Sequence, residues 1–118
     1  MNKIKSIIEN GKNILSIYFT AGYPNLDDTT LIIKELEKSG ADLIEVGIPF
    51  SDPIADGQTI QNSSTQALKN GINLDIVFSQ LLSIKNEVKI PLIIMGYLNQ
   101  IIAYGEERFL KSCQDANI

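Results

Sequence analysis

The sequence predicts an α/β domain in which parallel β-strands alternate with helices. Short apolar segments rich in β-branched residues recur between stretches that have helical periodicity. These segments are nearly continuously apolar, which is typical of strands buried on both faces of a parallel sheet. After a short first helix, the predicted order is β-α-β-loop-α-α-β-α. The pattern shows no internal repeat, linker or low-complexity tract.

Three segments predict strands because β-branched and other apolar residues dominate them. They are residues 14–20, 43–48 and 91–95. A turn at 21–25 follows the first strand, and a loop rich in proline and glycine, 49–57, follows the second. No helix or strand is assigned between the end of the third strand at Met95 and the last helix, which begins at Gly105.

Helices are predicted where apolar residues recur at helical spacing, several of them ending at glycine. The segments are 2–10, 27–40, 59–71, 75–88 and 105–116. In three of them we assign the buried face as follows: Leu31, Ile32, Leu36 and Ser39 in the second helix, Ile76, Val77, Leu81, Leu82 and Ile84 in the fourth, and Phe109, Leu110 and Cys113 in the last.

Composition excludes several functional classes. The formal net charge of −4 argues against nucleic-acid binding, because phosphate backbones would repel such a chain. The absence of histidine excludes Ser-His-Asp and Cys-His pairs and most zinc sites. No stretch approaches the roughly 20 apolar residues of a membrane span, and the single cysteine suits a reducing cytosol. We therefore expect a cytoplasmic protein without a metal site.

Glu45 is the first candidate for chemistry. Because side chains alternate along a strand, Ile44 and Val46 share one face while Leu43, Glu45 and Gly47 share the other. The apolar face should meet the helices. Glu45 then lies on the opposite face, near the carboxyl end of its strand, where a partly desolvated carboxyl group can both give and take a proton. The alternative is an ordinary solvated strand residue.

The loop after the second strand carries two further carboxylates, Asp52 and Asp56. Pro49 and Pro53 restrict its backbone, and Gly57 permits a tight turn. Spacing alone does not decide whether these two aspartates are functional or only form turns, because Asp before Pro and Asp before Gly are common in turns.

The segment from Glu45 to Gly57, continuing through Thr59-Ile60-Gln61, resembles the signature of the tryptophan synthase alpha chain family. The likeness extends to Phe19-Thr20-Ala21-Gly22-Tyr23-Pro24 and to Met95-Gly96-Tyr97-Leu98-Asn99, in the order of that family. It implies a (β/α)₈ TIM barrel. Residues 1–118 would form the N-terminal part of that single domain, truncated to about three βα units, too few to close a barrel of eight.

The resemblance also implies roles for single residues. Glu45 matches the family's general acid/base, and Asp56 matches the acid that binds the indole N–H. Tyr97 matches a tyrosine near the substrate. Tyr18 lies where the family places an aromatic ring against the indole, although a barrel-core residue is an equal alternative for it.

The implied reaction is aldol cleavage of indole-3-glycerol phosphate to indole and glyceraldehyde 3-phosphate, in tryptophan biosynthesis. It requires no cofactor on this chain. The implied partner is a beta chain that carries pyridoxal phosphate, in an alpha2-beta2 complex, and the loop containing Asp52 and Pro53 would face it. Two alternatives remain: another phosphate-binding barrel enzyme, such as a sugar-phosphate epimerase, or a non-catalytic chain that only binds the beta chain. By itself, the 118-residue chain is expected to be inactive.

Overall fold

The computed structural model describes residues 2–11 and 13–118, which form three parallel strands and six helices. The strands are β1 (Ser16–Thr20), β2 (Leu43–Gly47) and β3 (Leu92–Met95). The helices are α1 (Lys3–Asn10), α2 (Asp28–Lys38), α3 (Gln58–Lys69), α4 (Leu74–Ile84), α5 (Leu98–Tyr104) and α6 (Glu106–Asp115). The predicted α/β alternation is therefore confirmed, with one helix more than expected.

The strands lie side by side in the order β1-β2-β3. Their register places Tyr18 beside Glu45, and Glu45 beside Ile93. Residues in register on parallel strands point to the same face of the sheet. One face of the sheet therefore carries Tyr18 and Glu45 together.

The opposite face of the sheet packs against the helices. Ile44 and Val46 are fully buried there, in one cluster with Ile33 of α2 and with Val77 and Leu81 of α4. Burying side chains of this size stabilises a fold by about 1.5–3 kcal/mol each relative to leaving them exposed. The predicted division of β2 into a helix-facing side and a side bearing Glu45 is thus confirmed.

Three of the predicted helix faces contain an exposed residue. In α4, Leu82 is 45% exposed, although Val77, Leu81 and Ile84 of the same predicted face are buried. Leu31 of α2 is 58% exposed, whereas Ile33 is fully buried. The run Leu31-Ile32-Ile33 is apolar at three consecutive positions, so its spacing alone does not fix which residue turns inward. Leu110 of α6 is 67% exposed, while its neighbour Phe109 is buried. In α2, packing against α4 and the sheet decides the rotation. In α6, the contacts of Phe109 with Phe78 of α4 and Tyr104 of α5 decide it.

Helix α5 was not predicted, although Leu98, Ile101 and Ile102 have helical spacing. It follows β3 after only two residues. Its first turn is capped by Gln100, whose Oε1 accepts the Tyr97 N–H at 3.2 Å. The N-cap of α5 is Tyr97 and not the usual Ser, Thr, Asp or Asn, so the sequence lacks the common signal for a helix start. This helix places Tyr97 at the carboxyl edge of the sheet.

The turn after β1 is fixed to α3 through Asn70. The Asn70 side-chain amide donates to the carbonyl oxygens of Gly22 at 2.9 Å and Pro24 at 2.7 Å. Gly22 has a φ of +74°, and a β-carbon there would crowd Ile72, so glycine is required at this position. The carboxyl end of β1 is therefore held in place independently of any ligand.

None of the helices in the described part of the chain is long and apolar enough to cross a membrane.

Candidate active site

The segments that follow β2 and β3, together with Tyr18 of β1, surround a cleft of about 330 Å³. Parallel strands bring these loops to one edge of the sheet, where α/β folds hold their ligands. The cleft is lined by Tyr18, Ile48, Ala55, Asp56, Met95, Gly96, Tyr97 and Leu98. Three of the four predicted site residues, Tyr18, Asp56 and Tyr97, thus lie around one cavity.

Asp56 and Tyr97 are joined directly, although 41 positions separate them in the sequence. The Tyr97 hydroxyl donates to Asp56 Oδ2 at 3.0 Å and accepts the backbone N–H of Ala55 at 3.1 Å. The Tyr97 ring packs on Phe50, with centroids 4.9 Å apart. Partial burial and the hydrogen bond to the Asp56 carboxylate raise the pKa of Tyr97, so the phenol stays protonated at neutral pH.

The loop between β2 and α3 is held at both ends. Gln100 of α5 donates through Nε2 to the carbonyl oxygen of Pro49 at 2.9 Å. Gln61 of α3 donates through Nε2 to the carbonyl oxygen of Asp56 at 2.9 Å. The segment that carries Asp56 is therefore anchored by the helices on either side of it. The anchoring role of these two glutamines was not predicted from the sequence, because each binds a backbone carbonyl oxygen of the loop rather than a side chain.

Tyr18 borders the cleft from β1. A β-carbon at Gly47 would overlap the Tyr18 hydroxyl, so glycine on β2 makes room for the phenol ring. Burial raises the pKa of Tyr18, and the nearby negative charges of Asp56 and Glu45 raise it further. The phenol is thus a neutral, partly apolar wall beside two carboxylates.

Glu45 shares the face of Tyr18, but it does not line the cleft. Its Oε1 accepts a hydrogen bond from the hydroxyl of Ser16 at 2.7 Å. Ser16 is the first residue of β1, so the carboxylate is directed toward the amino ends of the strands. The structure therefore brings Tyr18, Asp56 and Tyr97 together and leaves Glu45 deeper along the same face. Ser16 was not predicted, since a strand serine carries no sequence signal for this contact.

Asp52 is exposed and does not line the cleft with Tyr18, Asp56 and Tyr97. It accepts a hydrogen bond from the neighbouring Ser51 hydroxyl at 2.9 Å and faces solvent. Within residues 2–11 and 13–118, no group of three or more His, Cys, Asp or Glu side chains is placed to hold a metal ion. The titratable side chains that line the cleft are one carboxylate, Asp56, and two phenols, Tyr18 and Tyr97. Such groups can transfer protons, and a carboxylate can accept a hydrogen bond from an N–H group.

Comparison with known proteins places this geometry in context. The sequence profile of the family described as tryptophan synthase alpha chain matches residues 4–118. Relatives of that name from Flavobacterium psychrophilum and Flavobacterium johnsoniae are each 60% identical over 118 residues, which is all of this chain and 47% of theirs. The chain thus spans about half the length of the curated relatives it matches.

Solved structures give the same result for the fold. Tryptophan synthase subunit alpha from Legionella pneumophila superposes with a TM-score of 0.89 at 39% identity, over 97% of this chain and 44% of that one. A chain of tryptophan synthase from M. tuberculosis gives a TM-score of 0.86 at 30% identity, over 97% of this chain and 45% of that one. The three parallel strands and their helices therefore correspond to part of a TIM barrel, as predicted.

Proposed function

This chain belongs to the tryptophan synthase alpha chain family, and from that membership we propose that residues 1–118 supply the active-site carboxylates of an indole-3-glycerol-phosphate lyase. The observation that carries the proposal is the cleft in which Asp56, Tyr97 and Tyr18 converge above Glu45. The family match favours this function over other phosphate-binding barrels, which share the alternation of strands and helices but not this loop.

The proposed reaction breaks the carbon–carbon bond between indole C3 and the adjacent carbon of the glycerol phosphate. One proton is added to indole C3, and one is removed from the hydroxyl on that adjacent carbon, which becomes the aldehyde of glyceraldehyde 3-phosphate. The two proton transfers balance, so the reaction needs no oxidant or cofactor. Protonation at C3 places positive charge on the ring nitrogen, and a carboxylate near that nitrogen stabilises the charge.

The four site residues divide this work. Glu45 transfers the protons, which requires its side chain to turn from Ser16 toward the cleft. Asp56 accepts a hydrogen bond from the indole N–H and stabilises the positive charge that develops on the indole ring. Tyr18 forms the aromatic wall for the indole, a role supported by its neutral, half-buried ring. Tyr97 lines the same cleft, where the family resemblance places it near the substrate, and its hydroxyl donates a hydrogen bond to Asp56.

A chimeric chain provides the means to test these roles. In this chimera, residues 1–118 replace the matching 118 residues of the Flavobacterium psychrophilum relative, to which they are 60% identical. The unaltered relative serves as the reference protein. All variants below are made in the chimera unless another protein is named.

Two aspartates of the same loop form a matched pair for the first prediction. Asp56→Asn should lower the kcat for indole release about 10²–10³-fold, the usual cost of removing one preorganised electrostatic group. Asp52→Asn makes the same chemical change at an exposed position and should leave kcat within about threefold, because exposed charges contribute little. A steady-state assay of indole release measures both variants. Equal effects of the two changes would contradict the role of Asp56.

We propose further that the protein acts in the cytoplasm with a beta chain, in an alpha2-beta2 complex, and that pyridoxal phosphate belongs to that partner. The support lies in the loop between β2 and α3. Ile54 is 90% exposed at its tip, and Phe50 is only half-buried. Large apolar side chains displayed on an anchored loop are typical of protein–protein contacts.

A second matched pair tests the partner. Ile54→Asp should weaken binding of the Flavobacterium psychrophilum beta chain at least about tenfold, because it places a charge in an apolar contact. Ile8→Asp on α1, where Ile8 is 65% exposed, should leave the affinity unchanged. Isothermal titration calorimetry gives both dissociation constants. Unaltered binding of the Ile54→Asp variant would remove this loop from the interface.

A further inference from the structure

We propose that Tyr97 is a positioning residue that acts on the reaction only through Asp56, and that it does not itself bind the substrate. This inference rests on the proposed function, because Asp56 matters to turnover only if the cleft holds the indole. It assigns Tyr97 a role different from the substrate contact that family resemblance implies.

The Tyr97 hydroxyl, like any phenol, has one proton to donate. Tyr97 gives that proton to Asp56 Oδ2 at 3.0 Å. Its oxygen also accepts the Ala55 N–H at 3.1 Å. With its donor in use and its oxygen already accepting, the hydroxyl has little left to offer a substrate.

The Tyr97 ring is fixed by groups outside the cleft. Its backbone N–H donates to Gln100 Oε1 at 3.2 Å, and Gln100 in turn donates to the carbonyl of Pro49 at 2.9 Å. The ring packs on Phe50 at 4.9 Å. Tyr97 is thus oriented before any ligand arrives, and it links both ends of the segment from Pro49 to Asp56.

The two carboxylate oxygens of Asp56 have different surroundings. Oδ2 is bound by Tyr97, and no group among the described residues donates to Oδ1. Fixing one carboxylate oxygen leaves the other oriented as an acceptor for a single donor in the cleft. A small error in such an orientation is costly, since misplacement by about 1 Å can reduce a rate by about 10²-fold.

A double-mutant cycle tests whether Tyr97 acts through Asp56. Tyr97→Phe keeps the ring and its packing on Phe50 but removes the hydroxyl. We expect kcat to fall about tenfold with KM within about threefold, an effect smaller than that of a 1 Å misplacement. In the Asp56→Asn background, the same change should alter kcat by less than about twofold, because the group it positions is already lost.

Tyr104→Phe is the matched control, because the Tyr104 hydroxyl donates at 3.0 Å to Asp75 on the exposed surface. It should leave kcat unchanged. Thermal unfolding of each variant verifies that the protein is folded. If turnover of the double variant is undetectable, the cycle is completed by calorimetry with a substrate analogue that lacks the ring-adjacent hydroxyl and cannot be cleaved.

The outcomes separate this inference from the proposed function. Independent, multiplicative effects of Tyr97→Phe and Asp56→Asn would mean that Tyr97 contacts the substrate directly, and they would overturn the inference. Full activity of Tyr97→Phe would overturn it as well. An unsubstituted chimera that binds neither substrate nor analogue would instead refute the proposed function, and the inference that depends on it.

Discussion

Replacing Glu45 by glutamine is expected to reduce indole release about 10²–10⁴-fold, the usual contribution of a positioned general acid or base. Glutamine has nearly the same shape and can still contact the Ser16 hydroxyl, which now donates to Glu45 at 2.7 Å. It cannot accept or deliver the protons of the reaction. The loss should appear in kcat, while KM changes little, because the residues that line the cleft remain intact.

A steady-state assay of the chimera measures this effect, and Glu35→Gln is the control because Glu35 is exposed on α2. Near-normal turnover by the Glu45→Gln variant would show that another group moves the protons. Glu45 would then be only a structural neighbour of Ser16.

The second large effect is expected when residues 1–118 are produced alone: we predict no measurable release of indole. Within the described residues, β1 and β3 are the outer strands of the sheet, and unpaired strand edges promote aggregation. The face that carries Glu45 also lacks an opposite wall. In barrels of this class, loops after the seventh and eighth strands hold the phosphate group, and binding a remote phosphate orients the reacting atoms.

Size-exclusion chromatography together with the indole assay tests this second prediction. The purified 118-residue chain and the chimera are compared at equal concentration. A folded 118-residue monomer with turnover close to that of the chimera would show that the three strands suffice for both binding and chemistry.

The sheet could be predicted from sequence because its strands are mostly apolar segments rich in β-branched residues. In β2, Glu45 stands between Ile44 and Val46, so strand alternation alone separates it from the core. The rotation of α2 was not predictable in the same way. Three consecutive apolar residues fit several rotations, and contacts with α4 and the sheet bury Ile33 rather than Leu31.

The candidate site was predictable as a set of residues but not as an arrangement. Resemblance to a family singled out Asp56 and Tyr97, but nothing in their spacing indicates that the Tyr97 hydroxyl lies 3.0 Å from Asp56 Oδ2. That contact depends on α5, which was not predicted, and on Gln100, which ties the loop to that helix. The Ser16 contact that directs Glu45 away from the cleft is also a tertiary effect. The positions of the residues in the chain do not encode it.

We propose that residues 1–118 carry the carboxylates of an indole-3-glycerol-phosphate lyase. The products that the chimera forms test this proposal. Indole and glyceraldehyde 3-phosphate are quantified together after incubation with indole-3-glycerol phosphate. The two products are expected in equal amounts. The kcat of the chimera should lie within about tenfold of that of the unaltered relative, a ratio that corresponds to about 1.4 kcal/mol in the activation barrier. A folded chimera that forms neither product, while the unaltered relative forms both, would contradict the proposed function.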